Sequence, residues 1–459
     1  MNQSKTAIIG AGVSGLSLAL LLDDDFELFE TQPDVGGHAS TTIRDGWTFD
    51  RGPHIMFSKN EDVLRFMVES LRGNVHQSRR NSKVCIDGHF AKYPLENDLG
   101  ALSTEHRNRC LLDFLFNPFH ASIDEPADLE QWFLKTFGEG LTNLYLVPYN
   151  EKVWKVPIRD LSMTWAERIP QPPAEDVVKG ALGIATEGYT HQLFFQYPRV
   201  GGYQAIPTAW ATMLPSERIH CGTAVEAIRP EADGVTLRVG GHEHRFNRVV
   251  STVPLPTLLD LLDMEIPEAV RDAVAKLRVN PMLVISLGFR GVDLHQFSSV
   301  YFPDEDFLVN RTSSPCTFSP ENGPPGCFSI QAEITAARGD PVLNRPDTEL
   351  IDHVVTGLIR NRVLDPGSTP VFTDVQRYPF AYVVYENGYE RRIELVRDWL
   401  EGYGIYPHGR FGGFEYLNVD GCVLRSLALA TQLNGRTTTI DEVKLPDPEP
   451  VEAGAHGVS

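Results

Sequence analysis

Lys5-Thr6-Ala7-Ile8-Ile9-Gly10-Ala11-Gly12-Val13-Ser14-Gly15-Leu16 opens the chain with an apolar run, a glycine turn and a second apolar run. Lys5–Ile9 reads as a short buried strand, Ser14–Leu22 as an apolar helix and Phe26–Phe29 as a second strand, together a compact βαβ unit. In such a unit Gly10, Gly12 and Gly15 make a tight turn. They let a pyrophosphate approach the backbone N–H groups at the positive end of the helix, where Val13 and Ser14 stand. Glu30, with Thr31 behind it, ends the second strand twenty residues after Gly10. A carboxylate there accepts hydrogen bonds from ribose hydroxyls and repels a 2′-phosphate. Turn and carboxylate together specify an adenine dinucleotide.

The rest of the composition narrows the class. A chain of 459 residues is long enough for two or three packed domains. Its longest aliphatic run, Leu16 to Leu22, is too short to cross a bilayer. A net charge of −20 argues against a nucleic-acid or anionic-membrane surface. The opening residues carry no signal-peptide pattern, so a cytoplasmic protein is expected. The six cysteines lack CxxC or Cys/His ligand spacing, which suits reduced thiols and leaves no metal site in view.

Along the chain, a largely helical stretch is expected from about Glu61 to Gln196, with Cys110–Phe116 and Leu129–Phe137 as apolar segments. After Gly201 strand-like runs return at Arg218–Arg229, Gly234–Val239 and Arg248–Val253. Further strands are expected at Met282–Phe289, Phe328–Ile334 and Ala381–Tyr385 around a helix at Asp347–Arg362. Gly409–Leu433 ends in a helix, and the segment from Lys444 is too poor in apolar residues to fold alone.

Gly36-Gly37-His38, just after the acidic strand, resembles the extended fingerprint of the FAD-binding amine oxidase and desaturase superfamily. The resemblance implies noncovalent FAD rather than NAD. It also implies an α/β, two-dinucleotide-binding (GR2-type) flavoprotein fold, with an inserted helical substrate domain and a second β-sheet substrate region. On that reading residues 1–65, 197–275 and 401–436 form the FAD-binding part, with Val225 among its contacts. Residues 66–196 form the helical domain, 276–400 the sheet-containing substrate domain and 437–459 a flexible tail.

A narrower resemblance follows. Gly52-Pro53-His54-Ile55, with an Asn-Glu-x-Val helix start at Asn60, resembles the flavin-facing loop of the UDP-galactopyranose mutases. This implies that His54 lies beside the flavin. Tyr93-Pro94-Leu95, Phe137-Gly138 and Tyr149-Asn150-Glu151-Lys152-Val153-Trp154, with Leu161 and Arg168 behind, continue the likeness. It places Tyr149, Trp154 and Arg168 against the nucleotide, although Tyr149 and Trp154 equally suit a helical core. Phe195 to Tyr203 resembles the return from the substrate domain and brings in Tyr197 and Arg199.

Arg311 matches the mutase arginine that meets the diphosphate, a task suited to a bidentate guanidinium; its plain alternative is a surface ion pair. Gly409-Arg410-Phe411-Gly412-Gly413-Phe414-Glu415-Tyr416-Leu417-Asn418-Val419-Asp420 resembles the mutases' late motif. There Gly409, Arg410, Tyr416, Leu417, Asn418 and Asp420 would hold the flavin.

Three departures accompany the likeness. Ile169–Phe195 has no arginine, leaving Lys179 and Arg199 as the nearby cations. Ile330 and Ile334 stand where a tyrosine is expected, and Val383 replaces the proline after Tyr382. The implied activity is a nucleotide-sugar mutase with non-standard sugar specificity. In it the reduced flavin N5 attacks the anomeric carbon, and His54, Arg311 and Tyr382 serve catalysis while Tyr385 touches substrate. NAD(P)H is a candidate reductant and a homodimer a candidate assembly. A flavin oxidoreductase of the amine, porphyrinogen or desaturase type shares every fold-level feature.

Overall fold

The computed structural model describes residues 5–186, 193–293 and 295–445. The opening unit forms as the strand Lys5–Ile9, the helix Val13–Leu21 and the strand Asp25–Phe29. Lys5–Ile9 is the middle of a five-stranded parallel sheet, between Asp25–Phe29 and Arg248–Ser251, with Ile219–His220 and Ile405–Pro407 at the edges. Parallel strands are covered on both faces, which is why the central strand reads as the apolar run Ala7-Ile8-Ile9. Ile8, Leu28 and Val250 point to one core, against Leu16 and Leu18 of the first helix and Val423 of the late helix Val419–Asn434. Ala7, Ile9, Phe29 and Val249 point to the other. There Ile228, Leu237 and Phe246 cover them from a three-stranded antiparallel sheet, Val225–Glu231, Gly234–Val239 and His242–Phe246.

Two glycines hold this unit together by absence of a side chain. Gly10 has φ +103°, and a Cβ on it would collide with the Thr252 hydroxyl. A Cβ on Gly15 would collide with the Gly10 carbonyl oxygen. Turn, helix and the end of the Arg248–Ser251 strand therefore meet only because both positions are bare.

The second sheet has seven strands in the order Phe372–Val383, Val279–Arg290, Cys327–Thr335, Arg311–Ser313, Ser299–Tyr301, Ser82–Ile86 and His89–Lys92. Its last two strands correct the sequence expectation of a helical stretch from 61 to 196. Ser82–Ile86 pairs in parallel with Ser299–Tyr301, and Val75–Arg79 pairs with Phe194–Pro198. Helices of that stretch occupy Glu61–Glu69 and then Thr104–Leu115, Leu129–Leu141, Val147–Trp154 and Ala174–Ala181. The hairpin of Ser82–Ile86 with His89–Lys92 across Asp87-Gly88 is a local signal that the helical reading passed over, whereas the pairing of Ser82–Ile86 with Ser299–Tyr301, more than two hundred positions away, leaves no local period to read.

The expected tail is also corrected at its start. Ile440 and Val443 are buried in the first core, and Arg436 holds Asp23 at 2.7 Å. The remainder of that expectation, 446–459, lies outside the described residues. No described helix is long and apolar enough to cross a membrane, and all six cysteines are free thiols.

Candidate functional site

A cavity of about 1130 Å³ runs from the glycine turn to the face of the seven-stranded sheet. At its first end stand Gly10, Gly12, Val13, Ser14, Glu30, Gly36, Gly37 and His38. The Glu30 carboxylate is held in place by the N–H groups of Ala11 at 2.8 Å and Gln32 at 2.9 Å. Gly36 donates its N–H to the Ala11 carbonyl at 2.9 Å, so the two glycine turns are stitched to each other. A Cβ on Gly12 would meet no protein atom closer than Gly37 Cα at 3.7 Å. The protein has room for it, and the space it would enter is the cavity. A bare backbone at a helix start, facing a fixed carboxylate, fits the ADP half of FAD.

The cavity continues past the start of the Val419–Asn434 helix, where Tyr416, Leu417, Asn418 and Asp420 line it. Asp420 accepts from the Ser58 hydroxyl at 2.8 Å, which ties this helix to the loop carrying Gly52, Pro53 and His54. Arg410 donates to the Leu417 carbonyl at 2.9 Å and sits 4.4 Å above the Tyr416 ring centre. Behind the loop, Asp50 accepts from Thr41 Oγ1 at 2.6 Å, Tyr197 OH at 2.7 Å and the Tyr203 N–H at 2.9 Å. Burial outweighs these three donors and raises the Asp50 carboxyl to about 6.

Two imidazoles face the cavity in neutral form. Burial lowers His54 to about 4, with Arg410 adding to the effect, and lowers His38 to about 3. Nδ1 of His54 is buried with no hydrogen-bond partner among the described residues. An orphaned ring nitrogen on a cavity wall is one that a bound group satisfies. Here too the residues fit a flavin.

Beyond His54 the cavity becomes a chamber of tyrosines around one ion pair. Arg311 and Glu333 face each other in register on neighbouring strands, and the guanidinium forks onto the carboxylate with Nε to Oε2 and Nη2 to Oε1 both at 2.9 Å. Glu333 is 1% exposed and the Arg311 side chain 23%, so the pair is sunk in the cavity wall and is not the surface pair that was the alternative. Burial works against the Arg311 charge, but Glu333 outweighs it and keeps the group firmly protonated. Gly52, at φ +128°, brings the His54 loop against the pair; a Cβ there would stand 3.3 Å from Glu333 Oε1.

Tyr149, Tyr301 and Tyr382 line the same chamber. Tyr301 stacks on Tyr93 at 4.9 Å and meets Tyr149 edge-on at 5.6 Å. Burial alone would raise the Tyr301 phenol. The guanidiniums of Arg80 and Arg311 outweigh it and hold the phenol below the usual tyrosine value. Burial raises the phenols of Tyr149 and Tyr382. Trp154 closes the wall, edge-on to Trp165 at 4.7 Å and to Tyr382 at 5.8 Å. Arg168 lines the rim and donates to the Tyr416 carbonyl at 2.8 Å.

Several expected contacts do not line the cavity. Tyr197 is buried and spends its hydroxyl on Asp50, which makes it a support for the His54 loop. Arg199 is exposed, 3.8 Å from Glu321, and Lys179 pairs with Glu175 on a surface helix. Tyr385 packs behind the wall against Tyr389 and Trp165. Val225 belongs to the second core and Thr31 is exposed. Gly15 and Gly409 act by close packing, since a Cβ on Gly409 would strike Ser14.

The sequence reading did not single out Arg80, Glu96 or Tyr301, all on the chamber wall. Tyr93 enters there only as part of the Tyr93-Pro94-Leu95 likeness. The pairing of Arg311 with Glu333 and of Tyr301 with Arg80 depends on strand register, which no local pattern reports.

Residues 13–411 match the family described as flavin containing amine oxidoreductase. The fold superposes on a crystal structure of reduced UDP-galactopyranose mutase with a TM-score of 0.87 and 26% identity, over 95% of this chain and 94% of that one. A coproporphyrinogen III oxidase of Bacillus subtilis is 21% identical over 91% of this chain and 95% of its own length. A dTDP-fucopyranose mutase of Escherichia coli is 22% identical over 53% of this chain and 65% of its own length. The family match spans most of the sequence, and the chain belongs to the flavin-containing amine oxidoreductase family.

Proposed function

We propose that the protein is a nucleotide-sugar mutase that uses noncovalent FAD to interconvert ring forms of an anionic nucleotide sugar. The observation that carries this reading is the chamber itself: the Arg311–Glu333 pair, with Arg80 near the other side of Tyr301, opens onto the cavity that holds the dinucleotide turn. Bound and reduced, FAD supplies a nucleophilic nitrogen for the anomeric carbon.

The residues divide the remaining work. Arg311, oriented by Glu333, offers its free fork edge to a phosphate oxygen and stabilises the charge that develops as the anomeric C–O bond breaks. Arg80 supplies the second cation, the role left open by the arginine-free stretch 169–195. Tyr149 and Trp154 form apolar walls, and the phenols of Tyr149 and Tyr382, kept protonated, donate hydrogen bonds without adding charge. Neutral His54 lines the cavity on the side of the dinucleotide turn.

A second reading, oxidation of a carboxylate-bearing substrate, is favoured by the oxidase relative that spans 91% of this chain. The chamber guanidiniums suit carboxylates as well as phosphates. Incubating nucleotide sugars with oxidised and with dithionite-reduced enzyme separates the two. Ring interconversion by the reduced enzyme alone, read by chromatography, supports the mutase. No interconversion with any sugar, with oxygen consumed in proportion to substrate, overturns it.

A further inference from the structure

Glu96 is a buried carboxyl that the proposed reaction does not use. It sits in the single turn Leu95–Asn97, after the strand His89–Lys92 and the Tyr93–Pro94 step. Leu95 turns into the core of the helical region, whereas Tyr93, Pro94 and Glu96 line the cavity beside Tyr145. The residue is 2% exposed, and its Oε2 has no hydrogen-bond partner among the described residues. Burial raises the carboxyl to about 7, and its own backbone N–H offsets this only in part.

An unpaired carboxyl oxygen costs folding free energy wherever it is buried. Nothing in the packing demands it here, because a leucine would fill the same space without the penalty. Such a cost is commonly retained at binding sites, where a ligand supplies the missing partner. The surroundings limit what that ligand is. Tyr145 stacks on Tyr149 at 5.4 Å, and the pair makes one flat apolar wall on the side of the cavity that Glu96 lines. A planar or ring-shaped guest lying along that wall can present one N–H or O–H to the carboxyl.

We infer that Glu96 is a specificity-determining residue whose Oε2 accepts a hydrogen bond from a neutral donor of the nucleotide sugar, either an imide N–H of the base or a hydroxyl of the sugar. The inference rests on the nucleotide-sugar reading above. It adds the residue that decides which nucleotide sugar is taken.

The test measures binding of UDP, dTDP, UDP-galactose and dTDP-glucose to reduced holoenzyme, wild type and three variants, by calorimetry. Glu96→Leu and Glu96→Ala should bind the preferred ligand about tenfold more weakly, the effect of one hydrogen bond to a charged group. Glu96→Gln keeps an acceptor oxygen and should lose about threefold or less. All three should keep their flavin and melt no lower than wild type, which a purely structural carboxyl would not allow. A loss seen equally with the free nucleotide places the donor on the base; a loss confined to the sugar-bearing ligand places it on the sugar. Unchanged affinity in the Leu and Ala variants, or a lowered melting temperature in all three, overturns the inference while leaving the mutase reading intact. Wild-type enzyme that binds none of the four ligands overturns both.

Discussion

In the dinucleotide half, the groups that face the ligand are backbone: bare Gly12 and Gly37, with Ala11 and Gln32 N–H fixing Glu30, all within about thirty residues of chain. In the chamber they are side chains. Arg80, Tyr149, Tyr301, Arg311, Glu333 and Tyr382 come from six separate stretches and meet because strands pair in one register. The first kind of site is specified by what is missing and tolerates no added atoms. The second is specified by charge and can be traded residue by residue.

The largest effect expected from that contrast is at Gly12. Gly12→Val should lose its flavin completely, because the new side chain enters the space of the pyrophosphate. The apoprotein should still fold, since a Cβ there meets nothing closer than 3.7 Å. Gly15→Val points its side chain at the Gly10 carbonyl and should fail to accumulate as folded protein. Flavin absorbance and circular dichroism distinguish the two. A yellow Gly12→Val protein would move the cofactor out of this cleft.

The chamber should answer to charge balance instead. Glu333→Gln keeps the shape and leaves the part-buried Arg311 without its counter-ion, so unfolding free energy should fall by about 2–3 kcal/mol. Arg311→Met combined with Glu333→Leu removes both charges and should recover most of that loss. The double variant should still fail to bind nucleotide sugars, while its flavin content stays at the wild-type level. Equal instability of the single and double variants would mean that packing, not charge, holds the two strands.

This contrast also explains what the sequence could disclose. Gly10, Gly12, Gly15 and Glu30 stand at fixed spacing inside one βαβ unit, so local pattern and chemistry coincide. Arg311 was legible by resemblance, but its partner Glu333 lies across a strand pair, and Tyr301 and Arg80 join it through the parallel pairing of Ser299–Tyr301 with Ser82–Ile86. Tyr197 and Tyr385 show the converse error. Both stand in family-like runs, yet Tyr197 gives its hydroxyl to buried Asp50 and Tyr385 packs against Tyr389 and Trp165, contacts made across the fold that a local run does not report.

A smaller effect is expected from Glu96 on the pH dependence of stability. Its folded value near 7 lies above the unfolded value near 4.5. Between these limits the folded state binds more protons, so stability is greatest below about pH 4.5, falls as pH rises to about 7 and is level above. The gap of about 2.5 units corresponds to a fall on the order of 3 kcal/mol. Glu96→Gln should lack this share of the fall, seen as a smaller difference between denaturant melts at pH 4.5 and pH 8. An identical profile would mean that Glu96 is hydrated in solution.

The smallest effects separate two arginines that sequence and structure rank in opposite order. Arg199 lies in the run from Phe195 to Tyr203 that resembles the mutases, yet its side chain is exposed and 3.8 Å from an exposed Glu321. Such pairs contribute roughly 0–1 kcal/mol, so Arg199→Ala should leave flavin content, substrate affinity and melting temperature within error of wild type. Arg80 lies in no recognised motif, but it faces the chamber, 5.4 Å above the Tyr93 ring and with Nη2 3.4 Å from Tyr301 OH. Arg80→Ala removes a cation from the phenol of Tyr301 and a charge-assisted contact from the substrate. Affinity for a nucleotide sugar should fall by about 1.5 kcal/mol, roughly tenfold. Arg80→Lys should recover part of it, because the charge returns without the planar fork. The Tyr301 phenol offers a readout that a merely structural role would not move. Since Arg80 is one of the two guanidiniums that hold it below the usual tyrosine value, Arg80→Ala should shift its ionisation upward in an ultraviolet pH titration, and Arg199→Ala should not. Equal behaviour of the two alanine variants would return the second cation of the chamber to some other residue.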